Sequence, residues 1–325
     1  MTSDVHAGSW RAMGCTVDVA VVGGSPDLLV LARTSIDHLE RRWSRFKSQS
    51  DISRLNHAAG STVHIDPATV VLLQAMLDGW RATSGAFDPT LLVPLVGLGY
   101  AASWNDPTSV TSLPHGALLR SDLGQLAIDS QRNLACIPAG MCLDPGGIGK
   151  GLAADLVVGT LLAAGACGAS VSIGGDVAVR GAAPQDGAWL VGVSDPMNLE
   201  LENAQLTMIE GGVATSGTLR RRWNGDDGSP VHHLLDPATG KPAHHGREIV
   251  AVTVIAGTAA WAEVWTKAVM VRGAAAVAVL DEYGLGAQLT YADRSTMSNR
   301  SWSTYELSGE PWDDLVGDEV EMIEV

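Results

Sequence analysis

The chain has 325 residues, 46% of them apolar and 18% charged, enough to bury a substantial core without disulfides. Its 36 acidic and 21 basic residues leave a net charge of −15, which excludes a general nucleic-acid binder, because phosphate recognition needs a basic face. The first residues carry Asp4 and no apolar signal-peptide core, so the reading is a cytoplasmic protein without membrane insertion. The 37 glycines, in a chain without low complexity, point to tight turns or to backbone that closely approaches a ligand.

In chain order, residues 9–22 alternate as a strand. A helix follows from Ser25-Pro26 to about Phe46, with Leu28, Leu31, Ile36, Leu39 and Trp43 as its apolar stripe. Ser50-Asp51-Ile52-Ser53 reads as a loop, and Asp66-Pro67 as an N-cap and first helical residue of a helix that stops at Gly85. Residues 126–137 predict a hairpin, and a helix runs from the Gly-rich segment 144–151 to about Ala164. Strands are expected at 169–180, 188–193, 204–209 and 248–256, helices at 258–271 and 273–283, and final strands at 286–292 and 301–307. The stretch without charge between Asp155 and Asp176 contains five Gly, one Thr and two Ser, so it reads as helix, turn and buried strand rather than a membrane span.

Strands in succession between 168 and 256 favour an α+β fold: one compact domain, at most two-lobed, with a largely antiparallel sheet flanked by helices. Residues 1–309 form the domain and 310–325 an acidic, frayed tail. Cys15, Cys136, Cys142 and Cys167 form no C-x-x-C pair and read as small core residues in a reducing compartment.

The segment Leu143-Asp144-Pro145-Gly146-Gly147-Ile148-Gly149-Lys150-Gly151 is a strand exit, a Gly-rich turn and a helix start, whose free N–H groups suit an anion. It fails as a P-loop, because Asp144 and Gly151 stand where Gly and Ser or Thr are needed. As a dinucleotide fingerprint it lacks the βαβ context. Phe87-Asp88-Pro89-Thr90 places an acid on a rigid turn, and Ala214-Thr215-Ser216-Gly217 places hydroxyls at a strand exit. In His232-His233-Leu234-Leu235-Asp236-Pro237-Ala238-Thr239-Gly240 the adjacent histidines face opposite sides of a strand, so one of them can meet a polar ligand. His244-His245 lacks partners at metal spacing and reads as solvated. Glu263, Thr266 and Lys267 share one face of an otherwise apolar helix, so their charges are either exposed or aimed into a polar site.

Taken in order, these segments resemble the ApbE-type flavin transferases, FAD:protein FMN transferases. Met13-Gly14, Trp43-Ser44-Arg45-Phe46, Ser50 to Asn56, Gly85 to Thr90, Leu143 to Gly151 with Asp155, Ile173 to Asp176, Ala214 to Gly217, His233 to Gly240 and Ala262-Glu263 carry the resemblance, over some four-fifths of the chain. It implies an ApbE-like, T-fold-related architecture. It also implies binding of FAD and a divalent ion, usually magnesium, release of AMP, and attachment of FMN through a phosphoester to a Thr or Ser of a target flavoprotein. By the same resemblance Met13, Phe46, Ala86, Phe87, Asp88, Asp144, Lys150 and Leu235 line the FAD site. Gly147 offers a carbonyl to the metal, and Glu263, Thr266 and Lys267 stand at the helix-ligand positions. Lys150 and Asp236 are the catalytic candidates, Asp236 as general base.

The chain departs from the family where Glu263 replaces the usual Asp and Lys267 the usual Thr, and it has no lipobox. An ammonium at a metal-ligand position repels a divalent ion and can also replace it as fixed charge. An FAD-binding carrier without catalysis and an FAD pyrophosphatase yielding FMN and AMP are the alternatives to transfer.

Overall fold

Eight strands pair antiparallel throughout to make one sheet. Its spatial order is Val5–Ala12, Cys15–Val22, Gly168–Ile173, Asp176–Gly181, Gly211–Gly217, Ile249–Ala256, Gly286–Tyr291 and Thr296–Ser298. The computed structural model describes residues 4–184, 187–225, 228–244 and 248–307, and the backbone of 323–324. The expected α+β class with a largely antiparallel sheet is the architecture observed.

Period-2 alternation assigns the two faces of the sheet. Val17, Val19 and Val21, with Ala169, Val171 and Ile173, point towards helices Asp27–Trp43, Pro67–Ala82 and Gly149–Ala163. Val252, Val254 and Ala256 meet helix Ala259–Arg272 on the same side. Val22, Val177, Val179, Val213 and Ile255 point the other way, under the strands Trp189–Asp195 and Asn198–Met208. The Gly149–Ala163 and Ala259–Arg272 helices are thus buried on several sides, which is why they lack a clean amphipathic stripe.

Several elements differ from their sequence expectation. The strand expected over 9–22 is a hairpin, broken where Met13 and Gly14 adopt positive φ of 49° and 76°. The strand expected over 169–180 is likewise two strands, turned at Gly174 and Gly175. Ser50 is an N-cap, not loop: its hydroxyl accepts from Ser53 N, and Asp51–His57 is helical. The expected final strand at 301–307 is a 3₁₀ turn at Trp302–Thr304 followed by a single bridge from Glu306 to Leu206. Cys142 is buried, its thiol pushed up to about 11 by burial, but Cys167 is exposed and not a core residue; all four cysteines are free. His244 is exposed as expected, while His245 and most of the 310–325 tail lie outside the described residues. Within that tail, Ile323–Glu324 pairs parallel with Val191 and Gly192.

Two close approaches fix how the two central helices meet. A Cβ on Gly151 would stand 2.4 Å from the Ala259 carbonyl oxygen, so only glycine admits this contact. Asp155, one turn further, accepts hydrogen bonds from Ala259 N and Ala260 N, both at 2.9 Å, and so caps the neighbouring helix. Gly151→Ala gains about 1 kcal/mol of helix propensity but meets backbone, not a side chain that can swing away. Overpacking of this kind costs roughly 1–3 kcal/mol, so the substitution is expected to lower the thermal midpoint, which calorimetry will read.

Candidate active site

The register set by Gly151 and Asp155 carries Glu263 to the start of the glycine helix. Its Oε2 accepts from Gly151 N at 2.9 Å, across 112 positions of sequence. Its Oε1 lies 3.2 Å from Lys150 Nζ and 3.1 Å from Lys267 Nζ. Lys150 also pairs with Asp176, which stands at the head of its strand after the Gly174-Gly175 turn. Glu263 is fully buried and Asp176 nearly so, whereas both ammonium groups reach a cavity.

The charges shape one another. Burial alone would raise the Glu263 pKa, but Lys150 and Lys267 outweigh it and hold the group at about 2. Burial dominates at Asp176 and raises it to about 6 against the pull of Lys150. Burial would lower Lys150, yet Asp176 and Glu263 together raise it. Lys267 is lowered, because burial exceeds the support of Glu263 and Asp176.

The cavity above this cluster measures about 460 Å³. Met13, Phe46, Ala86, Phe87, Asp88, Asp144, Lys150 and Leu235, the residues expected at an FAD site, all line it, as do Gly147 and Lys267. Met13 is held by its N–H to Glu40 Oε2 at 2.8 Å. Asp88 ties its own turn through Thr90 N and Thr90 Oγ1, both at 2.8 Å, and burial raises its pKa. Asp144 Oδ1 accepts from Gly146 N at 2.9 Å, and its Oδ2 faces Arg45 Nε at 3.3 Å. Asn56 clamps both backbone groups of Leu143, at 2.8 and 2.9 Å, which positions the Asp144 turn against the body of the protein.

Sequence reasoning did not single out three residues that the tertiary structure brings to the cavity. Arg45 lies 4.2 Å from the Phe46 ring centroid and 4.8 Å from that of Tyr100, so its guanidinium braces an aromatic side of the cavity. Arg221 adds a cation to the lining, near enough to Lys150 and His233 to act on both. His233, one of the adjacent pair of which a single member was expected to meet a polar ligand but was not chosen, lines the cavity with its Nδ1 buried and unpartnered. The backbone of Arg221 hydrogen-bonds the ring. With Nδ1 unpartnered, that bond falls to Nε2–H, which leaves Nδ1 as the proton acceptor. Burial, then Arg221 and Lys267, hold this pKa well below the ordinary value, so the imidazole is neutral at pH 7. His232 points elsewhere, to the Ala243 carbonyl at 3.2 Å, as alternation along a strand requires.

Asp236 stands apart from the cavity lining. Its Oδ1 accepts from Ala238 N at 2.8 Å and its Oδ2 from Thr239 Oγ1 at 3.3 Å, so it closes the turn to Lys241. The expectation of a general base at Asp236 has no geometric support, because Asp236 is not among the residues that line the cavity and both its carboxylate oxygens are engaged by its own turn.

The residues at the helix-ligand positions do not fit a divalent ion. Glu263 has both oxygens engaged, and two ammonium groups share one of them. Thr266 is fully buried, with its hydroxyl 2.7 Å from Ser216 Oγ and 2.7 Å from the Glu263 carbonyl oxygen. The Lys267 stem runs beside Gly147, where a Cβ would be 3.7 Å from Lys267 Cε. An ion about 4 Å from an ammonium is opposed by roughly 4 kcal/mol per unit of its charge at an effective dielectric of about 20.

The model of the ApbE family matches residues 13–289. The chain is 31% identical to the FAD:protein FMN transferase of Treponema pallidum, over 80% of this chain and 76% of that protein. It is 30% identical to the FAD:protein FMN transferase of Klebsiella pneumoniae, over 81% of this chain and 77% of that protein. The crystal structure of the ApbE protein of Thermotoga maritima matches with a TM-score of 0.81 at 25% identity, covering 94% of this chain and 100% of that one. The apo form of the Pseudomonas stutzeri flavinyl transferase ApbE matches with a TM-score of 0.76 at 26% identity, covering 95% and 99%. This chain belongs to the ApbE family.

Proposed function

We propose that this protein is an FAD:protein FMN transferase: it binds FAD in the cavity, transfers FMN to a Thr or Ser hydroxyl of a target flavoprotein and releases AMP. The observation that carries the reading is one cavity with an aromatic side, at Phe46 and Tyr100, and a cationic side, at Lys150, Lys267 and Arg221. FAD joins a flat, largely apolar ring system to a pyrophosphate, and the two sides answer those two chemistries. The acceptor oxygen attacks the phosphorus on the FMN side. The P–O bond to AMP breaks, and AMP leaves with the bridging oxygen.

Phosphoryl transfer asks for alignment and charge neutralisation more than for covalent help. Lys150 is locked by Asp176 and Glu263, so its ammonium meets the pyrophosphate without having to reorganise. The neutral His233 takes the hydroxyl proton at Nδ1, the unpartnered nitrogen. No step is assigned to a metal.

Incubation with FAD and a candidate flavoprotein, with and without magnesium, tests the reading. The expected products are AMP and flavin covalently attached to the acceptor. AMP with free FMN would make water the acceptor instead, and unchanged FAD would make the protein a carrier.

A further inference from the structure

We infer that the Lys267 ammonium occupies the place of a divalent cation against the pyrophosphate of FAD, so that this protein binds FAD without magnesium. The inference rests on the FAD reading above and adds the identity of the cation. Three observations carry it. First, Lys267 comes from the helix that also supplies Glu263 and Thr266, and its Nζ reaches Glu263 Oε1 at 3.1 Å while the side chain remains 16% exposed to the cavity. Second, its stem passes beside Gly147, across the gap between that backbone and Glu263. The space that an ion would share with these groups is therefore filled by the chain itself.

Third, the donors are left over in the right place. An ammonium has three N–H groups. Among the described residues, Lys267 has Glu263 as its hydrogen-bonding partner, and Lys150 has Asp176 and Glu263. Three N–H donors thus remain at the floor of the cavity. Glu263, Asp176, Lys150 and Lys267 sum to no net charge, and Arg221 adds a cation on the wall. A pyrophosphate lowered onto this floor meets donors and positive charge, with both oxygens of Glu263 engaged and Asp176 paired to Lys150 through Oδ2. Beside the engaged Glu263, the floor offers Asp176 Oδ1 as an unpartnered carboxylate oxygen, far short of the nearly complete octahedron of oxygens that magnesium needs.

Titration of FAD by flavin fluorescence, in EDTA and in excess magnesium, decides the matter. The wild-type Kd is expected to agree within about twofold between the two buffers. Lys267→Met, which keeps the stem and removes the charge, is expected to weaken FAD at least tenfold in EDTA. Lys267→Thr is expected to bind weakly in EDTA and to recover at least fivefold with magnesium. Wild-type binding that tightens tenfold in magnesium overturns the inference while leaving the FAD reading intact, and so does a Lys267→Met protein with wild-type affinity in EDTA. Absence of FAD binding in both buffers overturns the two together. The wild-type comparison stands even if a variant does not fold.

Discussion

Glu263→Ala is expected to lower the unfolding free energy by about 3–5 kcal/mol, the range for removing one partner of a buried ion pair. The loss has two parts. Lys267 keeps a desolvated ammonium that has lost its hydrogen-bonded carboxylate, with only Asp176 acting on it from farther away, and Gly151 N–H loses its acceptor. Lys150 still has Asp176, which limits the damage on that side. Glu263→Gln keeps an acceptor for Gly151 and removes only the charge, so its cost is expected to be smaller. Urea unfolding of the three proteins at pH 7 separates the parts. A loss below about 1 kcal/mol in Glu263→Ala would mean that Lys267 swings into water once freed, as an exposed lysine can. The same carboxylate gives a pH signature. Its pKa is about 2 in the folded protein against an ordinary 4.5, so its contribution is present above 4.5 and disappears as pH falls towards 2. Glu263→Gln is expected to lack that acid-dependent portion of the stability curve.

His233→Gln is expected to slow FMN transfer by about 10²–10⁴-fold, the usual worth of a general base. Glutamine can imitate the Nε2–H bond to the Arg221 backbone but cannot take a proton, so the FAD Kd is expected to stay within about threefold. A transfer rate close to wild type would remove His233 from the chemistry. The direction of the His233 shift also predicts the pH profile. Its pKa lies well below 6.5, so the basic form persists as pH falls from 8 to 6, and no acidic limb is expected at the ordinary histidine value. Single-turnover transfer across that range, followed by covalent flavin on the acceptor, measures it.

The sequence by itself determined what local chemistry controls. Asp66-Pro67 begins a helix and Gly85 ends its loop in left-handed backbone, because caps and positive φ are settled within a few residues. Ordered short motifs sufficed to name the family and eight residues that line the cavity, since several of those motifs, such as Met13-Gly14 and Gly85 to Thr90, are turns whose backbone restricts the residue types. Even locally the reading missed Ser50 as a cap and merged two hairpins into single strands, because apolar alternation runs unbroken through a Gly turn. Helical spacing put Glu263, Thr266 and Lys267 on one face but could not say whether that face met water. The answer depended on Gly151 and Asp155, which set the register of two helices more than a hundred residues apart in the chain. Asp236 and His233 exchanged importance for a related reason. A carboxylate two residues before a turn N–H is captured by it, whereas the direction of an imidazole is set by whatever packs around it. Close approach, desolvation and the pairing of charges from distant segments belong to packing, so only three dimensions decided that Lys267 pairs with Glu263 at the cavity and not at the outer surface.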